Sequence, residues 1–89
     1  MKRKAQIGDR VIRRGIMNTV FDLTIIRRSE KTIATVLTGS ETIMDERMDP
    51  HHFRFYDEAK VNRMEEIGQH IKELEADAYE IYQSLDEVI

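Results

Sequence analysis

Cysteine is absent from this 89-residue chain, which removes disulfide staples, cysteine-rich zinc sites and a thiol nucleophile together and fits a reducing, cytoplasmic setting. Long apolar runs are missing too. Met1-Lys2-Arg3-Lys4 is basic, but Ala5, Gln6, Ile7, Gly8 and Asp9 follow it, so neither a membrane span nor the apolar core of a secretory signal is expected. The four glycines, Gly8, Gly15, Gly39 and Gly68, stand apart, which excludes a glycine-rich phosphate loop. Ser29, Ser40 and Ser84 have no neighbouring histidine, and the carboxylate pairs Glu65-Glu66 and Asp86-Glu87 are consecutive and diverge on a helix. No catalytic constellation remains, so the chain reads as a non-enzyme without a cofactor. Asp49 with the adjacent His51-His52 is the one grouping of metal-ligand type. Adjacent residues seldom point to one centre, and the pair reads as solvated loop histidines, with no metal expected.

What is present is charge, unevenly divided. Met1 to Lys31 holds nine basic residues against three acidic ones, while Thr32 onward holds five against fourteen, for a net charge of -3. The basic front half offers Arg10, Arg13, Arg14, Arg27 and Arg28 as candidate contacts for an anionic ligand, a nucleotide or a nucleic acid. The acidic back half would repel a long polyanion.

The front half reads as short strands. Arg10 to Arg13 follows the Gly8-Asp9 turn, Val20 to Arg28 and Thr32 to Thr38 are rich in β-branched residues, and Ser29-Glu30-Lys31 is a compact hairpin connection. Phe21, Leu23 and Ile25 alternate with Asp22, Thr24 and Ile26, as a sheet with one core face requires. After Gly39-Ser40, Glu41 to Met44 forms a further strand. Asp49-Pro50, holding the single proline, predicts a 3₁₀ turn through His51-His52 before Phe53, Arg54 and Phe55 close the series. This succession over residues 7–56 resembles the SH3-like small barrels, including Tudor-type and KOW-type modules. The resemblance implies a small antiparallel β-barrel and says little about function. Phe21, Phe53, Phe55 and Tyr56 do not amount to the aromatic cage of a methyl-lysine reader.

From Asp57 onward the pattern changes to helix, with Asp57 as cap and Glu58 in the first turn. Met64, Ile67, Ile71, Leu74, Ala78, Ile81, Leu85 and Val88 fall on an unbroken heptad, a coiled-coil seam. A continuous helix over residues 57–89 would be about 50 Å long at 1.5 Å per residue, against a globule of about 26 Å for the preceding residues. The overhang calls for a second copy.

The sequence therefore predicts an α+β chain: a basic flexible arm (1–6), an SH3-like barrel (7–56) and a long amphipathic oligomerisation helix (57–89). The expected function is that of a cytoplasmic homo-oligomeric adaptor or inhibitor, a regulator of the kind phages encode, engaging a protein partner around Met17, Val20 and Phe21. The alternatives are an oligomeric sponge for a nucleotide or cyclic nucleotide and a nucleic-acid-binding module.

Overall fold

A computed structural model describes residues 2–15, 19–70 and 75–89. The strands are β1 (Lys2–Arg3), β2 (Arg10–Arg14), β3 (Val20–Arg28), β4 (Ile33–Leu37), β5 (Ile43–Met48), β6 (Arg54–Phe55) and β7 (Glu87–Val88). A 3₁₀ turn, Pro50–His52, precedes β6, and two helices, α1 (Glu58–His70) and α2 (Glu75–Ser84), precede β7. The sheet runs β1-β7-β6-β2-β3-β4-β5, with every neighbouring pair antiparallel except β1 and β7. This small, mostly antiparallel sheet is compatible with a barrel-like fold.

Each face of the sheet carries its own core, and β2 serves both. Val11 points into one with Ala5, Leu23, Ile25, Ile33, Phe53, Phe55 and Val88. Its neighbour Ile12 points the other way, onto Val61 and Met64 of α1 and Leu85 beyond α2. The two-residue period of a strand makes this division. Strand β3 matches the expected bounds, and its regular alternation ends where the pairing with β4 shifts between Ile25 and Arg27. Ile26 is the extra residue of that bulge, and the bulge releases Arg27 from the core face that strict alternation would assign it. At the opposite edge β5 is irregular too, with two register shifts against β4 and a left-handed backbone at Arg47, φ 55°.

The long C-terminal helix is not formed, and the fold is mostly β rather than α+β. Residues 57–89 instead make two short helices and a strand. Asp57 caps α1, its Oδ1 accepting from the Lys60 amide at 3.1 Å, and the Lys60 ammonium donates to the Ser84 carbonyl at 3.2 Å. The first turn of α1 thus lies beside the last turn of α2, so the helices run antiparallel against the sheet. The longest dimension of the molecule, 38 Å, is shorter than a continuous helix would be.

The expected seam is divided accordingly. Met64 and Ala78 are fully buried, Ile67 and Ile81 are half-buried, Leu85 is buried in the turn after α2, and Val88 belongs to β7 in the opposite core. Ile71 and Leu74 lie outside the described residues, as does Met17. A heptad states which face is apolar but not what covers it, and over its described residues the same chain covers it. The length argument for a second copy lapses with the overhang. Among the described residues no helix is long and apolar enough to cross a membrane.

Candidate binding surface

The five candidate arginines do not converge. Arg10 and Arg14 lie on the helix side of β2, Arg13 on the other side, and Arg27 and Arg28 at the far end of β3.

Arg10 donates from Nε to Asp22 Oδ1 at 2.8 Å and from Nη2 to Oδ2, and its guanidinium lies 3.8 Å from the centre of the Tyr56 ring. Asp22 also accepts from the Thr38 hydroxyl at 2.7 Å. The Arg10 hydrogen bond, helped by that of Thr38 and opposed by partial burial, holds the Asp22 carboxyl below the ordinary carboxylate range, and the pair raises the Arg10 pKa in turn. A depressed carboxyl pKa stabilises the fold above the unfolded-chain value of about 3.9 and is lost as pH falls through the lower folded value. Thermal melts between pH 7 and pH 2 should therefore show a steeper acid loss in the natural chain than in Asp22→Asn, which starts lower at neutral pH. Parallel curves would refute the coupling.

Arg13 donates from Nε to Asp45 Oδ2 at 2.9 Å, 32 residues away, where the carboxylate is nearly buried. Stacking extends across the molecule: Arg3 on Phe55, Arg10 on Tyr56, Arg13 on Phe21, Arg14 on Tyr79 and Arg54 on Tyr82, at 3.7 to 5.2 Å from the ring centres. Cation–π pairs ordinarily occur about once per 70–80 residues. Every aromatic ring except the fully buried Phe53 carries an arginine. Arg10, Arg13 and Arg14 thus help hold the sheet, its rings and the helices together.

Arg27 and Arg28 face a different setting. The turn Gln6–Asp9, closed by Asp9 N to Gln6 O at 3.0 Å, is fastened to β3 by Gly8 N to Ile25 O at 2.8 Å and Ile25 N to Asp9 O at 3.0 Å. Gly8 has φ 95°, a left-handed conformation that glycine adopts without strain. The tether brings Ile7, 66% exposed, to the stretch of β3 where the bulge presents Ile26, 40% exposed. Lys4, Gln6, Ile7, Arg28, Ser29 and Glu30 line an open cleft of about 500 Å³ there. Arg28 Nη2 donates to the backbone oxygen of Ile89, 51% exposed, which lines a second cleft with His51, Arg54, Glu87 and Val88. The Nε and Nη1 atoms of Arg28 are shielded and have no hydrogen-bond partner. Sequence reading selected Arg27 and Arg28, placed Lys4 in a basic flexible arm, and missed Ile7. Exposed isoleucines carry no signal of exposure in the sequence.

The chain matches no protein-family model, and no curated protein or solved structure is significantly similar to it.

Proposed function

We propose that the chain is a non-enzymatic binding module, an SH3-like small barrel backed by a helical hairpin, that engages another protein through the end bearing Lys4, Ile7, Ile26, Arg27 and Arg28. The supporting observation is that exposed Ile7 lines a cleft with Lys4 and Arg28, while exposed Ile26 follows Ile25, to which the turn bearing Ile7 is hydrogen-bonded. Scattered exposed apolar residues need no explanation, whereas apolar residues beside Lys4, Arg27 and Arg28, with Glu30 as the acidic member of the cleft, suit a partner segment that is apolar at its centre and mainly acidic at its flanks. Regulators and inhibitors work by such contacts. A nucleotide site is less well supported, because Arg10 and Arg13 are committed to carboxylates of the same chain.

A photo-crosslinking residue placed at position 26 in cells, with position 65 on the exposed face of α1 as control, tests this reading. The expected result is a crosslink to one protein from position 26 and not from position 65, mapping to an acidic segment and weakened by Arg27→Glu. Crosslinks equal at both positions, or only to nucleic acid, would overturn it.

A further inference from the structure

The turn between β5 and β6 holds three donor groups whose side chains make no hydrogen bond among the described residues. Asp49, His51 and His52 are exposed, and their ligand atoms all lie within 4.8 Å of one another. Asp49 occupies the cap position of the 3₁₀ turn, yet its carboxylate makes no capping hydrogen bond. The His52 amide, from which a cap carboxylate would accept, donates instead to the Asp49 backbone oxygen at 3.1 Å. The two imidazoles, though consecutive, lie side by side with ring centres 4.2 Å apart and planes inclined by 34°.

The backbone beneath them is fixed. His52 N donates to Asp49 O at 3.1 Å and Phe53 N to Pro50 O at 3.0 Å, closing the turn. The Tyr82 hydroxyl, kept protonated by burial that raises its pKa, donates to the His52 carbonyl at 3.0 Å and ties the turn to α2. Phe53, fully buried, anchors the next residue in the core. The side chains are thus exposed groups on a held frame.

We propose that Asp49, His51 and His52 form a binding site for a divalent transition-metal ion, with its remaining positions open to water or a further donor. Bonds of about 2.0–2.2 Å around such an ion place tetrahedral donors roughly 3.3–3.5 Å apart. Exposed side chains reach that spacing from 4.8 Å by rotation about χ1 and χ2. Two imidazoles and one carboxylate suit Zn²⁺, Ni²⁺ or Cu²⁺ better than Mg²⁺ or Ca²⁺, which take oxygen donors. The assignment rests on these three side chains and does not depend on the reading given to the end bearing Ile7 and Ile26.

Calorimetric titration of the untagged full chain with Zn²⁺ in a non-coordinating buffer tests the assignment. One ion per chain is expected. His51→Ala and His52→Ala should each weaken binding by about tenfold or more through loss of one of three ligands, while His70→Ala should leave it unchanged. The turn is exposed, so these variants should keep the natural melting temperature in the absence of metal. No saturable binding, binding that survives both substitutions, or binding that depends on His70 would overturn the proposal.

Discussion

Phe53→Ala is expected to leave much of the protein unfolded at 37 °C. Phe53 is fully buried between the 3₁₀ turn and β6, packed in the cluster that joins β2, β3, β4 and β7. Removing a buried aromatic ring costs about 3–5 kcal/mol, combining lost transfer energy with the cavity left behind. A chain of this size has roughly 4–13 kcal/mol in total at 0.05–0.15 kcal/mol per residue, and small domains bury a smaller share of their surface than large ones. Urea denaturation followed by circular dichroism should show the full loss. Ile7→Ala, at a position 66% exposed, should stay within about 0.5 kcal/mol of the natural chain. A Phe53→Ala loss below about 1.5 kcal/mol, well under the usual range, would mean that the residue is not in the core.

The second large effect is expected at Arg13. Arg13→Ala leaves the Asp45 carboxylate, whose side chain is 8% exposed, with only the Thr35 hydroxyl at 3.5 Å as a side-chain donor among the described residues. A bond of that length is weak. Breaking a buried pair from one side costs about 3–5 kcal/mol because the remaining charge is uncompensated, while replacing both partners by apolar groups is often neutral. Arg13 is partly exposed, so a loss near the lower limit, about 3 kcal/mol, is expected. Arg13→Met with Asp45→Leu should restore most of it. A double-mutant cycle measures the difference directly. Additive losses would show that the two side chains act independently.

Much of the sheet was legible because β3, β4 and the Pro50 turn announce themselves locally. Val20 to Arg28 alternates and is β-branched, and Asp49-Pro50 leaves few choices for the residues that follow. The helical half was misread for a definable reason. The heptad from Met64 to Val88 fits a straight seam and a hairpin equally well, since both bury one stripe. Leu85 and Val88 keep the spacing although neither lies in a helix. A two-residue strand such as Glu87–Val88 has no alternation to read. The arginines misled similarly: Arg13 on β2 finds Asp45 on β5 with two strands between them in the sheet, and no local pattern reports a pairing of that span. At the Asp49 turn the residues were noticed, but the side-by-side placement of the two rings follows from the tightness of the 3₁₀ turn, which sequence spacing does not convey.

The placement of β7 between β1 and β6 fixes when the molecule finishes folding. Leu85 completes the core beneath the helices and Val88 completes the other, so both stay open until synthesis has passed residue 88. The β2–β3 and β3–β4 hairpins join near neighbours and form early, whereas pairing Lys2 with Glu87 closes a loop of 85 residues at an entropic cost of about 4 kcal/mol. A ribosome halted before residue 85 would thus hold a chain with its hairpins made and both cores unsealed, the state in which proteases and chaperones recognise it.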